Sequence, residues 1–133
     1  PGIWLVRPES EALAIILQNQ LGGTLYRPWL NPAVAQKDQF ATVYRLHKQW
    51  IMIAACGIAV RFLDGLAQDK QCDPAVVVLD EAGRFAVSLL AGHEGGANRL
   101  AYRVANAIGA ALPPPFNRHW VSGASTKSAR SQR

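Results

Sequence analysis

The run Trp50-Ile51-Met52-Ile53-Ala54-Ala55-Cys56 is apolar at odd and even positions alike. A strand with one wet face alternates, so a run apolar on both faces is expected inside a sheet that carries helices on both sides. Gly57 breaks the run and Ile58 to Leu66 can continue as a helix, which makes Gly57 a strand-to-helix corner. Open α/β sheets bind ligands at such corners. Cys56, closing the run, is expected to be a buried small hydrophobe rather than a nucleophile.

The flanking sequence supplies the other layers. Ile3 to Val6 reads as a first strand, followed by a helix from about Ser10 to Gln20 with Leu13, Ile16 and Leu17 on one face. Gly22-Gly23 ends that helix, Thr24 to Arg27 forms a second short strand, Pro28 to Pro32 is a loop, and Ala33 to Gln49 is expected to be helical. Pro74 to Leu79 and Arg84 to Leu90 are strand-like runs joined by Asp80-Glu81-Ala82-Gly83, an antiparallel hairpin with Gly83 at a left-handed position and Asp80 opening the turn. Ala97, Leu100, Ala101, Val104, Ala105 and Ile108 then fall at spacings of three and four, an amphipathic helix that Gly109 stops. The sum is an α/β domain over residues 1–112: a three-layer, Rossmann-like mixed sheet with helices on both faces and an antiparallel hairpin.

After Leu112 the pattern ends in Pro113-Pro114-Pro115 and a Ser/Arg-rich stretch, so residues 113–133 are expected to be a basic, disordered or atypical tail. Of the net charge of +5, residues 1–112 carry only +1, with ten Lys/Arg against nine Asp/Glu. The folded part therefore has no basic face for nucleic acid. No apolar run reaches membrane-spanning length and no secretory leader opens the chain, so a cytoplasmic protein is expected. Cys56 and Cys72 are too far apart for a CxxC unit and the histidines are scattered, so no metal ligand set is expected.

The chemistry concentrates at Ser88-Leu89-Leu90-Ala91-Gly92-His93-Glu94-Gly95-Gly96-Ala97-Asn98, a strand-to-helix connection. The first-turn N–H groups and the dipole of the helix that follows favour an anion, and Gly92, Gly95 and Gly96 allow its close approach. Asn98 sits within that first turn. His93 is the best acid/base candidate because its imidazole titrates near neutrality, and Glu94 can orient it or act itself. The alternative is a tight connection with His93 packing locally. Asp69, Lys70 and Asp73 cluster before the hairpin, and Arg61, read near the start of the helix after Gly57, carries a fork suited to carboxylates. Each is equally a solvated surface charge, yet together they can form a carboxylate clamp. Ser88 and Cys72 have no defensible catalytic partners.

In series, Gly57-Ile58-Ala59-Val60-Arg61, Asp69-Lys70, Asp73-Pro74-Ala75-Val76-Val77-Val78, Asp80-Glu81-Ala82-Gly83-Arg84-Phe85 and the Ser88 to Asn98 run resemble the pattern of the cobalt-precorrin-5A hydrolase (CbiG) family over residues 2–112. The resemblance implies an enzyme of cobalamin biosynthesis that opens the δ-lactone of cobalt-precorrin-5A and releases acetaldehyde. The cobalt would arrive with the tetrapyrrole substrate, so no cofactor of the protein's own is implied. His93 or Glu94 would activate water. Gly57, Arg61, Asp69, Lys70, Asp73, Gly92, Gly95, Gly96 and Asn98 would line one cleft around the substrate's acetates and propionates. The family continues beyond this point with a further strand and a separate domain, whereas here the pattern ends at Leu112. That departure, with the absence of an initiating Met, implies a fragment or a truncated or frame-shifted end. It leaves a second reading: a non-catalytic corrinoid-binding module served by a missing C-terminal domain or by a tetrapyrrole methyltransferase. A third is a remnant without activity.

Overall fold

The computed structural model describes residues 1–69, 72–91 and 96–112. Five strands, β1 (Gly2–Leu5), β2 (Thr24–Tyr26), β3 (Gln49–Ile53), β4 (Ala75–Leu79) and β5 (Ala86–Leu90), form one sheet in the order β2-β1-β3-β4-β5. The first four are parallel and β5 runs antiparallel to β4. This is a doubly wound sheet with its order reversing between β1 and β3, closed at one side by the hairpin read from the sequence.

Side chains alternate across β1, β3 and β4 into two cores. Ile3, Leu5, Ile51, Ile53, Val77 and Leu79 face α1 (Glu11–Leu21) and α4 (Ala97–Ile108). Trp4, Trp50, Met52, Val76 and Val78 face α2 (Gln36–Val43) and α3 (Cys56–Leu63), where Phe40 and Phe62 complete an aromatic layer. Trp4 meets both Phe40 and Phe62 edge-on, with ring centroids 5.1 and 6.3 Å apart. That edge-to-face geometry is what ring quadrupoles favour. The all-apolar run at Trp50 is thereby explained, since both of its faces are covered.

The hairpin is held at its tip by Asp80, whose carboxylate accepts the backbone N–H of Arg84 and of Phe85 at 2.7 and 2.6 Å. Gly83 takes φ +71°, the left-handed value the turn needs. Past Gly109 the chain returns to β5, where Ala111 pairs in parallel with Phe85 and its carbonyl accepts the Ala86 N–H.

Four local expectations are corrected. On α1 Leu17 is buried and Leu13 packs against the same core as expected, but Ile16 is 47% exposed and Ala14 takes the buried place beside Leu17. The long helix over residues 33–49 is instead α2, a 3₁₀ turn over Tyr44–Leu46 and the start of β3. His47 breaks away at ψ 143°, and pairing with β1 and β4 claims Gln49 and Trp50. Cys56 lies outside the strand as the first residue of α3, exposed rather than buried. Arg61, read as standing near the start of that helix, is in its last turn.

Candidate active site

The edge where the parallel strands end carries the first corner. Gly57 is the second residue of α3, at the reversal of strand order, and a Cβ built on it meets no atom within 4 Å, so nothing in the fold demands glycine there. Arg61 lies about 6 Å further along the helix axis. Its side chain is exposed, and its carbonyl accepts a bond of 2.7 Å from the Lys37 ammonium. Beside this corner a cavity of about 410 Å³ is lined by Ala54, Ala55, Cys56, Asp80 and Phe85 over a floor of Val78 and Val87. Its polar groups are few, and Asp80 is already occupied by the turn. Burial works to raise the Asp80 pKa, but the N–H groups of Phe85 and Arg84 and the Arg84 guanidinium outweigh it and hold the carboxyl below the ordinary aspartate range.

The opposite edge carries the rest. The 69–73 loop enters β4 there, and β5, because it runs antiparallel, delivers its C-terminal end to the same edge: Leu90 is paired with Val76. Lys70, Gly92, His93, Glu94 and Gly95 lie outside the described residues. The flanks of the glycine run are described. The Ala97 N–H donates to the Ala91 carbonyl at 3.1 Å, and both Ala91 (φ +59°) and Gly96 (φ +83°) are left-handed. Gly96 is the N-cap of α4, and Asn98, half-buried, stands in the first turn of that twelve-residue helix. A left-handed alanine is uncommon and costs about 1–2 kcal/mol, strain of the kind that collects at ligand sites.

Asp73 is the best-fixed polar group of this edge. Its side chain is 3% exposed. One oxygen accepts the N–H groups of Gln68 and Asp69 at 2.8 and 3.0 Å, and the other takes the Arg45 guanidinium at 3.1 Å. Arg45 also donates to the Leu66 carbonyl and lies 5.1 Å from the Tyr44 ring centroid. The Tyr44 hydroxyl beneath is buried with no hydrogen-bond partner among the described residues, and burial followed by the Asp73 charge pushes its pKa up to about 12. Asp73 thus locks the loop that carries Asp69. Cys72 on the same loop is exposed.

The structure therefore brings together Asp69, Asp73, Gly96 and Asn98 at one edge and sets Gly57 at the other. Five strand residues, about 15 Å of sheet, separate the two. The antiparallel direction of β5 is what sets Gly96 at the edge opposite Gly57. Sequence reasoning missed Arg45, His47 and Lys48, which reach the Asp69–Asp73 edge. Their segment was assigned to a helix, and the partner of Arg45 is 28 residues away. Among the described residues no group of three or more His, Cys, Asp or Glu side chains could hold a metal ion, and no helix is long and apolar enough to cross a membrane.

The class the fold defines is a doubly wound α/β domain, in which the left-handed Ala91 and Gly96 flank the connection from β5 into an amphipathic helix. Residues 38–112 match the family described as "Cobalamin synthesis G N-terminal". More than half of the chain is matched, and the chain belongs to that family. It is 57% identical over 60 residues to a cobalt-precorrin-5A hydrolase from Salmonella typhimurium, an alignment covering 45% of this chain and 17% of that protein. It is 42% identical over 67 residues to a cobalt-precorrin-5A hydrolase from Priestia megaterium, covering 50% of this chain and 18% of the relative. The chain thus spans less than a fifth of the curated relatives it matches. In structure it resembles a cobalamin biosynthesis protein G homologue from Sulfolobus solfataricus, with a TM-score of 0.69 and 20% identity, over 86% of this chain and 36% of the other. That likeness shows the shared fold.

Proposed function

We propose that this chain is the substrate-engaging N-terminal part of a cobalt-precorrin-5A hydrolase, working in the cytoplasm on a cobalt tetrapyrrole. The observation that carries the reading is the family match over residues 38–112, which spans the approach to α4. In this reading the substrate lies along the edge formed by the 69–73 loop and the flanks of the glycine run. His93, with Glu94 orienting it, takes a proton from water as the water oxygen bonds to the lactone carbonyl carbon. N–H groups at Gly95 and Gly96 stabilise the oxyanion. The ring C–O bond then breaks to leave a carboxylate and a free hydroxyl. Proton abstraction from that hydroxyl forms the aldehyde C=O as the carbon-carbon bond parts, its electron pair passing to the conjugated tetrapyrrole, which takes up a proton, and acetaldehyde leaves. Lys70, Asp69, Gly92 and Asn98 serve the substrate's polar fringe, while Asp73 holds the loop. The cobalt is part of the substrate. Gly57 and Arg61, away from this edge, have no part in the chemical step.

The chain's share of its relatives, under one fifth, favours one alternative: a corrinoid-binding module completed by a C-terminal domain or by a tetrapyrrole methyltransferase. Incubating the chain with cobalt-precorrin-5A and measuring both affinity and acetaldehyde separates the two. Binding with release supports the hydrolase and binding without release the module, whereas the absence of binding overturns both.

A further inference from the structure

We propose that His47 and Lys48 form a carboxylate-binding subsite for an acetate or propionate of the tetrapyrrole, a deepening of the function proposed above. The two residues lie between the 3₁₀ turn and β3, on the edge that carries the Asp69–Asp73 loop and the flanks of the glycine run. They line a cavity of about 480 Å³ with Leu46, Gln49 and Pro1.

The imidazole of His47 is held from three sides. The Tyr26 hydroxyl lies 2.6 Å from Nε2, the Trp50 ring meets it edge-on at 4.9 Å, and Gly2 leaves it room. A Cβ on Gly2 would fall 2.5 Å from the Trp50 ring and 2.9 Å from the imidazole. Burial raises the Tyr26 pKa and lowers that of His47, so both are neutral at pH 7. The phenol, the stronger acid, donates to Nε2, which leaves Nδ1 with the proton and makes it a hydrogen-bond donor. Lys48 is exposed, and its ammonium has no ion-pair partner among the described residues. Arg45, the other cation of this segment, is engaged by Asp73. An oriented neutral donor beside an open cation suits one carboxylate.

The register explains why the carboxylate should belong to the same ligand. Gln49 pairs with Ala75 on β4, and Val76 pairs with Leu90 on β5, one residue before Ala91. Lys48 is therefore two strand spacings, about 10 Å, from Ala91, the last described residue before Gly96. That is the scale on which the side arms of a tetrapyrrole stand apart around the ring.

The test uses cobalt uroporphyrin, a ring fringed by acetates and propionates, with the chain and its Lys48→Met and Lys48→Glu variants. Lys48 is exposed, so both variants should melt with the parent. Lys48→Met is expected to weaken binding about 3- to 10-fold and Lys48→Glu by more than that, with the gap narrowing at high salt. Ligand titration should also shift the His47 ring resonances in nitrogen-edited NMR. Lys48→Glu binding at parental affinity with unmoved His47 resonances would overturn the subsite. Acetaldehyde release from cobalt-precorrin-5A, measured on the same samples, separates the two readings. Parental release by Lys48→Glu at limiting substrate overturns the subsite alone. Lys48-dependent binding of uroporphyrin without any release supports the subsite and counts against the hydrolase.

Discussion

Replacing Asp73 by alanine removes the group that ties the 69–73 loop to the domain, and the structure sets the size of the loss. Hydrogen bonds to charged acceptors contribute about 1.5–3 kcal/mol each, but the Gln68 and Asp69 amides are only partly buried and can rehydrate, so about 1 kcal/mol apiece is the better figure. The Arg45 guanidinium is 45% exposed, which holds its share of the ion pair to about 1 kcal/mol. The sum is about 3 kcal/mol. For a domain of this size that is a fall in Tm of about 12 °C. Urea unfolding at unchanged m-value measures it. Asp73→Asn keeps an oxygen for the two amides but turns an NH2 donor toward Arg45, losing that hydrogen bond with the charge, so it should cost about 1–1.5 kcal/mol. An Arg45→Met, Asp73→Ala double-mutant cycle should return a coupling of about 1 kcal/mol. An Asp73→Ala variant within about 0.5 kcal/mol of the parent would refute the reasoning, because that is the size of a neutral surface change.

Two further perturbations probe the hairpin. Gly83→Ala forces alanine to φ +71° with its methyl 3.4 Å from Leu13, and should destabilise by about 1–2 kcal/mol in urea. Asp80 has a carboxyl pKa held below its unfolded value, so its contribution is present above the ordinary aspartate pKa of about 3.9 and is lost as pH falls through the lower folded value. The stability gap between the parent and Asp80→Asn should therefore be full at pH 7 and close as pH falls through the lowered folded value; a gap that widens on acidification would contradict the sign.

The buried strand at Trp50, the hairpin with Asp80 and Gly83, and α4 with its stop at Gly109 were legible because each is written in local periodicity or in a turn that admits few residues. α4 shows this best: of the six positions the spacing marks, Ala97, Leu100, Ala101, Val104 and Ala105 are buried and Ile108 packs partly buried against the same core. The end of α2 was not legible, since residues 44–49 have adequate helix formers and are redirected by pairing of β3 with β1 and β4. Ile16 failed for a related reason: on α1 apolar residues outnumber the positions the sheet can cover, and contact with β1 and α4 chooses among them. The candidate site was legible as motifs but not as one place. Gly57 and the glycine run look equivalent in sequence as strand-to-helix corners, yet the reversal of β5 puts Gly96 at the edge opposite Gly57. The Arg45 to Asp73 pair and the His47 to Tyr26 bond join residues 28 and 21 apart, which no local pattern encodes.

The most direct test of the central claim is single-turnover release of acetaldehyde from cobalt-precorrin-5A by the chain and by its His93→Ala variant, with substrate affinity measured alongside. General acid/base catalysis by His93 predicts affinity within a few-fold of the parent and a rate lower by roughly 10²–10⁴. Release by His93→Ala at the parental rate would contradict the account.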